Sequence, residues 1–363
     1  MDERQQRELR ESAVIGSGPT TDPGQRNVPP SSEPRPAVLR ESAYASLKAL
    51  ASLKLTLVIL ALLGAGIIVS YQLEGARTWP LVLPLGLLAV NLAAAVATNG
   101  VFRRQTALLV FHLALIALVL LVAAGRLSYL KGKLELAEGE VFDGTLTDFD
   151  AGPLHPWRLD RVRFANEGFT IDYAPGVRRG PTRNQVVWED AAGNAQRAVV
   201  GDHDPLVLRG YRFYTSHNKG FAPVFLWQPK HGEAALGSVH LPSYPIHEYR
   251  QAQEWTPPGS REAVWVMLQF DEVILDPERP SEFRLPAQHS LVVRAGEERH
   301  ELRPGEAVEL GDGRLVYQGL RSWMGYTVFY DWTLPWLLAA CVVAVASLAW
   351  HFWGKFAAKP WDA

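Results

Sequence analysis

The stretch from Thr106 to Ala124 reads TALLVFHLALIALVLLVAA, and its only ionisable side chain is that of His112. A helix on the surface of a soluble protein has one apolar and one polar face, whereas this stretch is apolar on every face. At about 1.5 Å per residue, roughly 20 apolar residues cross the ~30 Å hydrocarbon core of a bilayer. The stretch therefore predicts a transmembrane helix.

Three further runs have the same character, at residues 53–70, 81–98 and 332–353. Some fifty residues precede the first run, whereas a cleaved signal peptide lies within roughly the first 15 to 30 residues. The first run is therefore predicted to be a retained anchor. The predicted fold class is an integral membrane α-helical protein with four transmembrane helices, three plus one, and a large inserted β-rich extracytoplasmic domain.

The Lys and Arg residues of the short flanking segments predict the orientation, because such residues are enriched on the cytoplasmic side. They precede helix one, fill the loop between helices two and three, and follow helix four: Arg40, Lys48, Lys54, Arg103, Arg104, Lys355 and Lys359. Both termini are therefore predicted to be cytoplasmic, and the large domain periplasmic, in a multi-pass protein of the inner (plasma) membrane. Arg126, Lys131 and Lys133 follow helix three on the outer side, but a long domain translocates largely regardless of charge.

The segments between and beyond the apolar runs complete the predicted organisation. Residues 1–40 are rich in proline and show no apolar period, which predicts a disordered cytoplasmic tail. Residues 41–51, ESAYASLKALA, predict an interfacial helix, so that residues 41–125 hold this helix and the first three spans. Residues 354–363 are predicted to form a cytoplasmic C-terminal tail.

Residues 126–331 predict the β-rich domain, because short β-prone runs alternate there with Gly and Pro. The strand candidates are residues 161–164, 169–173, 206–214, 223–227 and 264–270. The clearest hairpin is EAVELGDGRLVYQGL, in which Asp312 and Gly313 are expected to form the tight turn.

Composition excludes several classes of function. The 36 Lys and Arg residues against 38 Asp and Glu residues give a net charge of -2, which argues against a nucleic-acid-binding protein. The single cysteine, Cys341, excludes an internal disulfide framework, a CxxC redox pair and a CxxCH haem attachment motif. The chain has no GxSxG, Walker or GxGxxG motif, so hydrolase, ATPase and Rossmann functions lack support.

His112 is the strongest functional signal, because an ionisable residue inside a membrane span suggests a functional site. A neutral imidazole binds a metal through one nitrogen while a hydrogen bond holds the other, and haem iron is a natural partner. The alternative is a histidine that bonds Asn91 or a Ser or Thr of a neighbouring helix. Asn91 is either a partner supporting His112 or a helix–helix contact. His351 is interpreted as an interfacial residue at the end of helix four.

Eight histidines of the outer domain show no recognised metal-ligand spacing, and they are interpreted as scattered surface residues. They are His155, His203, His217, His231, His240, His247, His289 and His300.

Several segments resemble the ResB-type proteins of cytochrome c biogenesis, also called CcsB-type in the system II pathway. LASLKLTL at residues 50–57 is similar to the start of the family's first helix, and Phe111, His112 and Leu113 are similar to its third-helix motif. Residues 211–216 and 325–331 also look alike, and the order of three helices, a large domain and a final helix matches. The resemblance covers roughly residues 41–355.

The resemblance implies a subunit that is not an enzyme alone but belongs to a haem-attaching complex. It would assist haem transport across the membrane and present haem b, held transiently, to apocytochrome c together with a CcsA-type partner. In this family the third-helix histidine is thought to ligate haem from the inner side of the membrane, so this role passes to His112. Membrane lipid is the remaining partner, and no catalytic residue is assigned.

Two departures from the family pattern and two other functions stay open. The chain has Asp331, Trp332 and Thr333 where the family commonly has aspartate, proline and glycine, and residues 67–72 lack an expected glycine-threonine. A divergent relative that serves a dedicated cytochrome or has lost haem transport would fit these differences. The main alternative is a membrane scaffold or receptor whose β-domain binds a protein without haem. A membrane oxidoreductase is less favoured, because haem iron needs two axial ligands and the chain has one deep histidine.

Overall fold

Six helices and fifteen strands make up the part of the chain that the computed structural model describes, residues 36–73 and 78–357. Most of the tail at residues 1–40, Arg77 and Lys359 fall outside these ranges. Helix α1 runs from Pro36 to Leu50, so it begins five residues before the expected interfacial helix. It exposes Tyr44 and Leu47 along its length.

The four predicted spans are long apolar helices, and a short helix, α4 (Val101–Arg104), lies before the third of them. The four are α2 (Leu53–Gln72), α3 (Trp79–Thr98), α5 (Thr106–Ser128) and α6 (Leu334–Ala357). Each is long and apolar enough to cross a membrane, and each exposes large apolar side chains. Such surfaces are stable in lipid rather than in water. The chain is a membrane protein with a β-rich domain.

Helix α3 packs between α2 and α5, and α6 packs against α5. The bounds of the four helices differ from the predicted ones by up to four residues: α5 continues past Ala124 to Ser128, and α6 continues past Trp353 to Ala357. The extension of α5 carries Arg126 inside the helix rather than in the outer domain, because the backbone ladder persists until the Tyr129 N–H bonds the Gly125 carbonyl at 2.8 Å.

The β-rich region consists of three antiparallel sheets. The largest has the order β2-β1-β15-β7-β6, with β14 added on β15 and β8 on β7; its strands are β1 (Leu130–Ala137), β2 (Asp148–Ala151), β6 (Leu206–Leu208), β7 (Tyr211–Pro229), β8 (Ala235–Ser238), β14 (Ala307–Leu310) and β15 (Gly313–Tyr330). A second sheet contains β3 (Ala165–Ala174), β4 (Arg178–Glu189), β5 (Ala195–Val200) and β11 (Ser281–Glu282). The third contains β9 (Ala252–Trp255), β10 (Val264–Gln269), β12 (Ser290–Ala295) and β13 (Glu298–Leu302).

The long antiparallel pair of β7 and β15 forms the centre of the largest sheet. Two register shifts, at Tyr317/Gly319 and Met324/Tyr326, interrupt the pairing. Such bulges raise local twist, which lets strands of this length curve around a core. Apolar side chains from all three sheets meet in one cluster, whose largest fully buried members include Trp227, Tyr211 and Tyr326.

Several strand predictions need correction. Residues 162–164 are not a strand, because a 3-10 turn at Leu159–Arg161 precedes them and the next strand begins at Ala165. The single strand expected over residues 206–214 is two strands, since Arg209 and Gly210 take positive φ angles and turn the chain back. The hairpin turn is formed by residues 311 and 312. Gly313 already pairs within β15, where a Cβ would collide with the Gln228 carbonyl.

Two neighbouring strands connect the β-rich domain to its helices. β1 follows α5 directly and β15 leads into α6, with Leu130 paired opposite Tyr330. The Trp332 indole Nε1 donates to the Ser128 Oγ at 2.8 Å. This bond joins the segment between β15 and α6 to the last residue of α5. The domain and the pair of helices α5 and α6 are therefore joined at one hydrogen-bonded junction.

Candidate functional site

His112 lies nearly two turns into α5, the helix that leads directly into the β-domain. Its Nδ1 is 2.8 Å from the carbonyl oxygen of Leu108, one turn earlier. A carbonyl oxygen only accepts hydrogen bonds, so Nδ1 carries the proton and donates. In the neutral imidazole the other nitrogen, Nε2, then has an unprotonated lone pair, which is the form that binds a metal.

Two aromatic side chains contact the His112 ring. The buried Phe102 of α4 meets it edge to face with ring centroids 4.6 Å apart, and the adjacent Phe111 does so at 5.4 Å. These contacts and the Leu108 bond fix the ring on two sides. Within the described residues there is no group of three or more His, Cys, Asp or Glu side chains placed to hold a metal ion.

The hydrogen bonds of Asn91 go to residues other than His112. Its side chain is buried in α3, and its Nδ2 donates to the Leu50 carbonyl at 2.6 Å, while its Oδ1 accepts from the Thr56 hydroxyl at 2.8 Å. Leu50 is the last residue of α1, and Thr56 lies in the first turn of α2. The structure thus places Asn91 as a contact between α2 and α3, whereas the Nδ1 of His112 uses its own helix.

His155 is buried at the junction between α5 and the β-domain, contrary to the prediction of a surface residue. Its Nδ1 donates to the Ser128 carbonyl at 2.9 Å, and its Nε2 accepts from the Tyr211 hydroxyl at 2.8 Å. The Tyr211 oxygen also accepts from the Arg158 N–H. Burial lowers the pKa of His155, although its bond to Ser128 opposes this shift. A neutral histidine therefore joins the end of α5 to β7 of the largest sheet.

His240 is held between two carboxylates. Its Nδ1 is 3.2 Å from Glu135 and its Nε2 is 3.6 Å from Glu140, and its ring stacks on Trp323. Burial disfavours the charged ring, but the hydrogen bonds to the two carboxylates outweigh it and raise the pKa of His240 to about 9. With this pKa the ring is a cation at neutral pH, so its Nδ1 donates to Glu135 while its Nε2 lies within ion-pair distance of Glu140.

Lys219 is a buried cation that the sequence did not reveal. Its side chain is 2% exposed and lies over the Tyr173 ring, with Nζ 5.7 Å from the ring centre. Burial and the nearby Arg179 charge lower the pKa of Lys219 to about 8, and Asp202 opposes them. Arg179 and Asp202 form their own ion pair at 2.9 Å.

The remaining histidines are not brought together. His203, His217, His231 and His247 are exposed, as expected. His289 contacts the Tyr317 hydroxyl, and His300 lies beside Glu298. His351 packs edge to face on Phe352 near the end of α6.

Two comparisons relate the chain to known proteins. Over 74 residues it is 28% identical to an ADIPOR-like receptor, IZH3, of Saccharomyces cerevisiae; the match covers 18% of this chain and 13% of that receptor. So short a match carries no inference about function.

The model of the ResB-like family matches residues 90–355, a range that includes α5 with His112, the whole β-domain and most of α6. This range is most of the chain. The protein therefore belongs to the ResB-like family.

Proposed function

We propose that the protein is the membrane subunit of a system II cytochrome c maturation complex. With a CcsA-type partner, it assists the movement of haem b across the inner membrane and the presentation of haem to apocytochrome c. Haem is the cargo of this process rather than a resident cofactor. The observation that carries the proposal is the geometry of His112 in a chain of the ResB-like family.

The His112 ring suits an axial ligand of haem. Its Nδ1 is committed to the Leu108 carbonyl, which orients the ring and makes Nε2 the metal-binding atom. Two phenylalanines, Phe102 and Phe111, provide an apolar and aromatic setting that matches the face of a porphyrin. This chain supplies one ligand, and the partner supplies the second.

The charged residues next to α5 support a position of His112 close to the cytoplasmic side of the membrane, from which haem would enter. Arg103 and Arg104 lie in α4, directly before α5, and His112 follows Arg104 by eight residues, or roughly 12 Å along a helix. On this proposal His112 acts in the inner half of the bilayer, and the β-domain lies outside, where it meets apocytochrome c.

The test is the haem content of the complex. The chain is co-expressed with a CcsA-type partner, and the purified complex is examined by its visible spectrum for the wild type, His112→Ala and His351→Ala. His351 is the matched control, because it is the other histidine within a described apolar helix and its ring contacts Phe352. We expect haem to be lost in His112→Ala and retained in His351→Ala.

The interpretation of a loss of haem depends on whether the complex still assembles. If His112→Ala still copurifies with its partner, exogenous imidazole should restore part of the spectrum, because imidazole replaces the missing ligand. Equal haem in the wild type and His112→Ala would remove His112 from the proposal. Absence of haem from every complex, with a stable protein partner bound, would instead indicate a scaffold or receptor.

A further inference from the structure

A groove of about 980 Å³ lies where the β-domain meets helices α5 and α6. We call it the junction groove. Arg126, in the last turn of α5, and Leu334, the first residue of α6, both line it. Since α5 and α6 are apolar spans, the groove opens at the level where their ends leave the membrane.

Three neighbouring strands provide a cationic and aromatic floor. In the register of β1, β15 and β7, Lys131 pairs with Phe329, and Phe329 pairs with Arg212. Directly paired residues of antiparallel strands share one face of the sheet, so these three side chains form a row across the groove. Tyr214 adds a second ring, edge to face with Phe329 at 5.9 Å.

The charges of the junction groove favour an anion. Four basic and three acidic side chains line it: Arg126, Lys131, Lys133, Arg212, Asp148, Asp150 and Asp331. Two of the acids have local partners. Asp148 accepts a hydrogen bond from Lys133 at 3.0 Å, and Asp331 accepts from the Thr333 N–H and hydroxyl at the start of α6. Asp150 of β2 is paired opposite Lys131, so the row consists of Asp150, Lys131, Phe329 and Arg212 and has one more basic than acidic side chain, as does the groove as a whole.

The position of the groove identifies the occupant. Leu334 is exposed at its edge, and α6 continues from there as a lipid-facing helix, so the anions at this level are the headgroups of the surrounding lipids. Guanidinium and ammonium groups bind phosphate oxygens through charge-assisted hydrogen bonds, and aromatic rings are typical of the headgroup layer. We propose that the junction groove binds the phosphate of an anionic phospholipid from the leaflet that meets the β-domain.

Native mass spectrometry of the full chain in detergent tests the proposal, with short-chain phosphatidylglycerol and phosphatidylcholine as probes. We expect phosphatidylglycerol to bind more tightly, and Lys131→Gln with Arg212→Gln to weaken it by at least about tenfold, since each basic group near an anionic surface contributes measurably. Arg299→Gln is the matched control, because Arg299 is exposed in β13, a strand of a separate sheet, and this variant should bind as the wild type does.

Further experiments distinguish a lipid headgroup from a free anion and control for misfolding of the variants. Inorganic phosphate should not displace the lipid; displacement would indicate a free-anion site and overturn the proposal. Equal binding of the two lipids, or an unchanged double variant, would overturn it as well. If the double variant does not fold, Arg212→Gln alone and the salt dependence of wild-type binding decide, because a headgroup held by charge is released as ionic strength rises.

Discussion

His240 lies between the carboxylates of Glu135 and Glu140, an arrangement we call the carboxylate clamp. It makes the stability of the β-domain depend on pH in a defined direction. The pKa of His240 is about 9 in the folded chain, against about 6.5 for an unperturbed histidine. A folded pKa that is raised above the unfolded one stabilises fully below pH 6.5, and this stabilisation is lost as pH rises through 9. The full contribution is about 3 kcal/mol, and about 1.5 kcal/mol of it disappears between pH 6.5 and 8.

The assay is equilibrium unfolding of the full chain in detergent, followed by near-ultraviolet circular dichroism at pH 6.5, 7.2 and 8. The wild type is compared with His240→Gln, which is neutral throughout. We expect the wild type to be more stable at pH 6.5 and its advantage to shrink by about half at pH 8. The difference between the two proteins cancels every other group that titrates in this range.

Glu140→Gln is the matched control for the clamp. It removes one of the two carboxylates that hold the His240 ring, while Glu135 stays 3.2 Å from Nδ1. The pKa of His240 should fall, so the loss of stability should move to lower pH. An advantage of the wild type over His240→Gln that stays constant or grows from pH 6.5 to 8 would refute the reasoning.

Three other substitutions test the contacts described above. Lys219→Met should raise the stability at pH 7 by up to about 3 kcal/mol, since it removes a buried cation with a pKa near 8, and it should abolish the stability that the wild type gains between pH 8 and 10.5; chemical unfolding against pH measures both. His155→Phe should cost about 2–4 kcal/mol, because the Ser128 carbonyl and the Tyr211 hydroxyl lose their partner, and the loss is read from the unfolding midpoint. Asn91→Ala should cost about 1–2 kcal/mol of helix packing but leave the haem spectrum of the complex unchanged; loss of haem from a folded Asn91 variant would show that α3 supports the His112 site.

The membrane spans could be predicted because their signal is local. Each span is a continuous apolar run, and its length is set by the bilayer rather than by the rest of the chain. The ends of the spans are not determined by the apolar pattern: Gly125 and Arg126 continue α5, although both residues suggest the end of an apolar run. There the backbone ladder and the junction with the β-domain decide, and neither is visible in composition.

The β-domain could be predicted as a class but not in its register. The turn at Arg209 and Gly210 splits what reads as one β-prone segment, because a non-glycine residue takes a positive φ there. Gly313 was assigned to the hairpin turn, yet its small size is needed against Gln228 of β7, far away in the sequence. Long-range pairing therefore decided both positions.

The candidate site was predictable only in part. His112 stands out as a single ionisable residue in an apolar helix, but its bond to Leu108 and therefore its tautomer require coordinates. His155, His240 and Lys219 looked ordinary, since their partners lie between 27 and 105 residues away or on other strands. No local spacing rule identifies a buried histidine or lysine of this kind.

The pairing of Leu130 with Tyr330 also bears on how such a protein changes over evolutionary time. The chain leaves and re-enters the helical part on adjacent strands, so its two ends there are only about 5 Å apart. A hairpin loop of roughly two to five residues closes a gap of that size. A longer or shorter domain inserted between these two strands would therefore leave the order of the spans unchanged.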